Sequence, residues 1–422
     1  MNLLLYAHTL FRPTAAAGFS AGPHFMSSSN KMTPLELRAS IGLSGIFGLR
    51  LLGMFVILPV FAIYAEHLPG GGDLTLVGIA IGAYGLTQAI LQIPFGWWSD
   101  RIGRKPVVYI GLATFAIGSF VAALAPNIYI VIFGRVLQGA GAISAAVIAM
   151  TADLTREGQR AKAMAMIGST IGASFALSLI ASPWLDQIIG VPGIFALTGV
   201  LALAGMVVLW RFIPDAPEAP PAPGRGLKDF WNVLLDPQLA RLNWGIFALH
   251  AVLMALFIVV PFGLRDAGLA VADHWKVYLP VMLGSFVLML PPIMQAGKPE
   301  LLRRWFIIAV ALLLAGHLAL PWLTGNIWLL SLFLLIFFVP FNVLEAMLPT
   351  LTTRLAPAHV KGTAIGLYST IQFFGTFLGA AAGGVIYKHW GTAGVVVLDA
   401  ALLAIWLILA FGMHVPPVAA RT

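Results

Sequence analysis

Gly96-Trp97-Trp98-Ser99-Asp100-Arg101-Ile102-Gly103-Arg104-Lys105 is the stretch on which the reading of the fold turns. It joins two long apolar runs, Leu74–Pro94 and Val107–Ala125, and carries three cations, one anion and two glycines within ten residues. Glycines permit a tight turn and close backbone approach. Cations set this close to membrane-length apolar runs mark a loop on the cytoplasmic side of a bilayer.

The composition agrees. The 422-residue chain is 60% hydrophobic and 9% charged. An average soluble domain is about 25% charged, so a soluble fold is excluded. A net charge of +8 would point to nucleic acid in a soluble protein. Here the cations fall between apolar runs, so loop bias accounts for them, and the expected partner is the lipid bilayer, not nucleic acid. The absence of cysteine excludes disulfides and thiolate metal sites.

Apolar runs of about 20 residues, the length a helix needs to span a bilayer, recur along the chain. The first six are Ser40–Tyr64, Leu74–Pro94, Pro106–Ala125, Ile128–Ala152, Ala161–Leu185 and Pro192–Phe212. The next six are Leu242–Leu264, Val277–Met294, Trp305–Leu323, Ile327–Leu351, Thr363–Tyr387 and Ala393–His414. The runs do not alternate as barrel strands would, so the expected fold is an all-α integral membrane protein of twelve transmembrane helices. Residues 1–38 read as a cytoplasmic extension, with Met32 or Met26 as the expected initiator, and 39–213 as a six-helix bundle. A Pro-rich linker with a short amphipathic piece, Leu227–Leu242, occupies most of 214–241; a second bundle (242–414) and a cytoplasmic tail (415–422) follow.

Placing both termini in the cytoplasm gives that side 19 of the 24 Lys and Arg residues. Only Arg265, Lys276 and Lys388 fall outside, and Arg50 and Arg135 lie within spans. The halves echo each other at a spacing of 200 residues: Phe47, Leu49 and Met54 recur as Phe247, Leu249 and Met254, and Ser169-Thr170-Ile171 recurs as Ser369-Thr370-Ile371. Arg50 falls opposite His250. Such a parallel repeat places a substrate site between pseudo-symmetric halves near mid-membrane.

The order Gly-x-x-x-Asp-Arg-x-Gly-Arg-Lys resembles the signature loop between the second and third helices of the major facilitator superfamily. The second copy, Gln295 to Arg304, has decayed. The resemblance implies a conformational latch formed by Gly96, Asp100, Arg101, Gly103 and Arg104 with Asp153. In it, Asp100 caps the start of the eleventh helix and Arg104 pairs with Asp153, holding the outward-facing state. Trp98 departs from the smaller residue usual there. Arg135-Val-Leu-Gln-Gly in the fourth span resembles the Arg-x-x-Gln-Gly motif of proton-coupled members. As a nucleotide-binding glycine loop it fails, since no strand precedes it. In the fifth span, Gly168-x-x-x-Gly172 reads as a close-packing device and only partly fits the family's antiporter motif.

Ionisable groups within spans are functional candidates by default. Glu345, with Asn342 one turn earlier, and His250 are the leading proton-coupling residues, joined by Arg135; Glu345 can load and release a proton as access alternates. Asp399 is secondary, a structural partner near the outer surface. Arg50, Tyr84, Gln88, Gln92, Asn342 and Gln372 are candidate cavity residues, with interhelical bonding as the other reading of the polar stripe. His250-x-x-x-Met254 has ligand spacing for copper, but methionine commonly fills gaps in apolar helices, so no metal site is assigned.

Leu49–Phe55, Gly85–Gly96, Ala272–Tyr278 and Lys361–Thr370 together resemble a narrower group, the YajR-type proton-coupled facilitators. The extra soluble C-terminal domain of that group is expected to be absent. The resemblance implies a drug-type or small-molecule proton antiporter of a bacterial inner membrane, working as a monomer on the proton gradient without a cofactor. The alternatives are a metal or other solute carrier of the same fold, a membrane enzyme and a membrane sensor. No His-x-x-x-x-Asp or His-Glu-x-x-His pattern supports an enzyme.

Overall fold

The computed structural model describes residues 31–215, 227–296, 298–323, 325–357 and 360–413. The expected extension up to residue 30, nearly all of the Pro-rich linker and the tail lie outside them.

The described residues form helices α1 (Pro34–Phe55), α2 (Leu58–Ala65), α3 (Leu74–Arg101), α4 (Arg104–Ala123), α5 (Ile128–Ala140), α6 (Ser144–Asp153) and α7 (Glu157–Phe212). These are followed by α8 (Leu227–Leu235), α9 (Pro237–Asp266), α10 (Trp275–Leu288), α11 (Leu290–Gln295), α12 (Pro299–Ala319), α13 (Ile327–Leu355) and α14 (Lys361–Phe411). Ten helical stretches are long and apolar enough to cross a membrane. Two of them, α7 and α14, are broken at Gly190 (φ +64°) and Gly391 (φ +60°) and supply two spans each, which makes twelve. Both breaks use the left-handed region that glycine enters without a Cβ clash.

Polar caps fix where several spans begin. Thr33 and Glu36 form a reciprocal capping box at α1, and Asp73, Asn127, Asp236 and Asn326 accept backbone N–H bonds at the starts of α3, α5, α9 and α13. Each such cap contributes about 1 kcal/mol. Asp236 moves one expected boundary: the amphipathic piece ends at Leu235 and the seventh span begins at Pro237 rather than Leu242. The loop quoted first is also shorter than it reads, because α3 runs through Arg101 and α4 starts at Arg104, leaving only Ile102 and Gly103 between them. Gly103 makes that turn at φ +97°.

The spans gather into two six-helix bundles. In the first, α1 packs on α7, α3 on α5, and α4 on α5 and α7; in the second, α9 packs on α14, α10 on α13, and α12 on α13 and α14. Contacts between bundles run through α3 with α14, α2 with α9, and α7 with α10.

These contacts are concentrated away from the 96–105 loop. At that far face, Glu66 pairs with Arg265 at 2.7 Å and Asp73 with Lys388 at 3.0 Å, and Gln187 Nε2 donates to Ala272 O at 2.8 Å. Close glycine packing reinforces them: a Cβ on Gly82 would sit 2.8 Å from Phe377 O, and one on Gly85 2.7 Å from Phe373 O. Toward the loop face, a Cβ on Gly168, Gly172 or Gly366 would meet nothing within 4 Å. The expectation that Gly168 and Gly172 pack a neighbouring helix therefore fails here: both border open space. The molecule is closed at the far face and open at the loop face.

Candidate functional site

At the head of the opening, three helices of the second bundle bring together Glu345 from α13, His250 from α9 and Gln372 from α14. The Gln372 Nε2 amide lies 2.8 Å from His250 Nε2 and donates to Glu345 Oε1 at 3.4 Å. His250 Nδ1 lies 3.3 Å from the Ile246 carbonyl, which only accepts, so Nδ1 carries the hydrogen and Nε2 receives one from the amide. Both ring nitrogens are thereby engaged, which leaves none free for a metal paired with Met254. Glu345 Oε2 lies 3.9 Å from His250 Nε2 and has no hydrogen-bond partner. The His250 side chain is 4% exposed and that of Glu345 is 21% exposed, while the Glu345 Oε2 atom itself is buried. The buried Tyr368 hydroxyl likewise has no partner.

Aromatic rings close the route to the far face. Phe175 of α7 meets Phe338 and Phe341 of α13 at 5.8 Å each and Phe257 of α9 at 6.4 Å. Phe341 also lies 6.1 Å from the His250 ring. Offset and edge-to-face pairs of this kind contribute about 0.5–1.5 kcal/mol each beyond area burial.

Asn342 does not join Glu345. Its Nδ2 donates to Ser285 Oγ of α10 at 3.0 Å, tying two helices together. Four other expected cavity residues are also buried in this conformation. Arg50 donates to Ser144 Oγ at 2.9 Å and to Gln88, whose amide donates to Gln92 at 2.6 Å, and the guanidinium lies over the Tyr84 ring at 5.5 Å. A buried cation requires acceptors around it, and in this network Gln88 and Ser144 supply them. Only Gln372 of the six expected cavity residues reaches the opening.

Arg135 does not snorkel. It is fully buried, and its guanidinium donates to Ala80 O, Ile81 O and Gly53 O at 3.3 Å and to Gln138 Oε1 at 2.8 Å. These bonds join the first, second and fourth spans, and no acid contacts it among the described residues.

At the loop, Arg104 Nε donates to Asp153 Oδ2 at 3.1 Å, and Nη1 donates to Ser99 Oγ at 2.8 Å and to Asp100. Arg101 stacks over Trp97 at 3.6 Å, and a Cβ on Gly96 would touch that of Ala145. Asp100 bonds within its own bundle, and no hydrogen bond links it to the start of α14 among the described residues.

Several groupings were not anticipated from sequence. They include the far-face pairs, the Phe175 plug, Glu36 bonded to Arg156 at 2.8 Å, and His317, which lies 3.6 Å from Asp399. His317 carried the same signal as His250, a lone histidine in an apolar run.

Twelve spans in two bundles around a polar centre that opens to one face define a secondary transporter rather than an enzyme. The chain belongs to the Major Facilitator Superfamily, whose family pattern matches residues 43–380. It is 44% identical over 389 residues to the inner membrane transport protein YajR of Escherichia coli (strain K12), covering 92% of this chain and 86% of that protein. The quinolone resistance protein NorA of Staphylococcus aureus is 24% identical over 352 residues, covering 80% and 86% of the two chains. The fold is similar to that of a bacterial homolog of the human lysosomal transporter Spinster, solved in an inward-facing and occupied conformation. The TM-score is 0.72 at 15% identity, covering 90% of this chain and 97% of that one.

Proposed function

We propose that the protein is a proton-coupled antiporter that exports small lipophilic or weakly charged molecules across a bacterial inner membrane, acting as a single chain. The observation that carries this reading is the Glu345 Oε2, buried without a hydrogen-bond partner on a side chain that is itself partly exposed where the opening ends. A proton on that oxygen and a hydrogen-bonding or cationic substrate group against it are mutually exclusive, and exclusion of one by the other is what antiport requires. Gln372 holds the other carboxylate oxygen and the His250 ring in register, so His250 is a positioning and relay group. The aromatic rings above offer apolar contact and exclude far-side water. Arg135 serves coupling only indirectly, by holding three helices in register.

The Lys and Arg bias supports a cytoplasmic 96–105 loop and cytoplasmic termini, and with that orientation the conformation described is inward-open. Asp100, Arg104 and Asp153 act in the opposite state, when the α14 start approaches Asp100. The names of YajR and NorA, an inner membrane transporter and a drug-resistance protein, accord with this reading.

The test is proton movement in everted vesicles energised with a pH gradient, with wild type and Glu345→Gln challenged by a panel of cationic, neutral and metal-ion substrates. Proton release by wild type and not by the variant is the expected result. Equal release by both would remove Glu345 from coupling, and a copper response lost in His250→Ala would favour a metal carrier.

A further inference from the structure

We propose that His317 and Asp399 form a second proton-binding site, separate from the Glu345 cluster, in which one proton is held between an imidazole and a carboxylate. His317 comes from α12 and Asp399 from the second arm of α14. Nε2 lies 3.6 Å from Oδ2, and the two side chains are 0% and 1% exposed.

The tautomer decides the argument. His317 Nδ1 lies 2.8 Å from the Leu313 carbonyl, which only accepts, so Nδ1 carries the hydrogen. A neutral ring then turns a bare lone pair toward Asp399. Nε2 and both carboxylate oxygens have no hydrogen-bond partner. Without a further proton, three acceptors face one another around a buried negative charge, an arrangement an apolar interior strongly disfavours. One proton resolves it in either position: on Asp399 it is donated to Nε2, and on Nε2 it makes an imidazolium paired with the carboxylate.

Among the described residues, no other group supplies the missing charge. On α12 the remaining ionisable residues are Glu300, Arg303 and Arg304, more than three turns away. On α13 they are Glu345 and Arg354, and the second arm of α14 has none but Asp399. On α9, which packs on α14, they are Arg241, His250, Arg265 and Asp266. None of these pairs with His317 or Asp399 among the described residues. The rings of Phe333 and Phe337, edge-on to His317 at 5.7 and 5.5 Å, complete a dry wall.

The site is connected to the first one. Phe337 stacks on Phe341 at 5.6 Å, and Phe341 meets the His250 ring at 6.1 Å, so a shift of α13 that serves Glu345 also repacks His317. His317 lies about one and a half turns from the far-face end of its span at Trp322, and Asp399 about two turns from its own at Gly391. The proton therefore exchanges with far-side water when that face opens.

The inference concerns where a proton sits and does not depend on the antiport reading. Its test is infrared spectroscopy of the purified full chain in liposomes, in H2O and D2O across pH. The samples are wild type, Glu345→Gln, Asp399→Asn and His317→Gln. The expected result is an exchangeable signal of a protonated carboxyl or an imidazolium, present in wild type and Glu345→Gln, absent in Asp399→Asn and displaced in His317→Gln. A signal lost only in Glu345→Gln, or no signal that Asp399→Asn removes, would overturn the proposal. If Asp399→Asn does not fold, a signal unchanged by His317→Gln overturns it equally.

Discussion

Replacing Gly82 with alanine tests whether the far-face packing of α3 on α14 sets the conformation. The added Cβ would lie 2.8 Å from Phe377 O and 3.2 Å from the Cβ of Ala380. An ordinary C···O contact is about 3.3–3.6 Å, so the helices must part by roughly 0.5 Å or strain. Neither neighbour can swing aside, since one is a backbone oxygen and the other a methyl on a helix. Overpacking of this kind costs about 1–3 kcal/mol. The cost falls on the far-closed state, in which these surfaces touch, and shifts the two-state equilibrium about 5–150-fold toward the far-open state. The chain contains no cysteine, so spin labels placed on cysteines at Arg160 and Lys361, both exposed at the loop face, meet no background. Electron–electron resonance distances between them should move from a long population toward a short one in Gly82→Ala. Gly134→Ala is the control, because its Cβ would press on Ala122 N at 2.7 Å within one bundle. It should lower stability without moving the distance. A folded Gly82→Ala with the wild-type distribution would refute the argument that these contacts hold the far face shut.

Asp73 gives a pH dependence of definite sign. The Lys388 ammonium and the Thr75 N–H hold its carboxyl below the usual aspartate range. Its contribution to far-face closure is complete above the ordinary range and is lost as pH falls through the lowered value; acidifying the far side should open that face in the same distance assay, and Asp73→Asn should abolish the dependence. Arg135→Lys removes a fork that bonds three helix carbonyls, and a loss of about 1–3 kcal/mol should appear as a lower melting temperature in detergent; lost transport at unchanged melting temperature would assign Arg135 to the transport cycle instead. Arg104→Gln and Asp153→Asn should be non-additive in transport rate, with a coupling of about 1 kcal/mol in a double-mutant cycle, and additivity would remove that ion pair from the mechanism.

Much of this molecule was legible in its sequence because a bilayer leaves few options: backbone groups must pair within each span, so apolar runs of sufficient length become helices. The spans, the two halves and the junction near residues 96–105 follow from that rule. Asn342 shows where it stops. Helical spacing puts Asn342 and Glu345 near one face, yet one residue reaches Ser285 on α10 and the other Gln372 on α14. Helix phase gives direction around an axis and does not say which neighbour stands there. Gly168 and Gly172 fail for a related reason, since small residues permit close approach but a conformation decides whether it occurs. The far-face pairs Glu66–Arg265 and Asp73–Lys388 join residues far apart in sequence, and no local pattern marks them.

The two halves differ in a way that bears on energetics. The core of the first bundle holds Arg50 and Arg135, both buried and neither paired with an acid among the described residues. The core of the second holds His250 with Glu345 and His317 with Asp399. Guanidinium groups stay charged in proteins, whereas imidazole and carboxylate groups exchange protons. The first bundle therefore presents a constant positive field, and only the second changes charge with its proton load. A carboxylate at Glu345 is stabilised by that field and a protonated one is not, so proton binding alters the attraction between bundles without any change in the first. On this electrostatic argument the first bundle acts as the fixed reference. In the proton-coupled cycle proposed above, the second bundle is where the gradient acts.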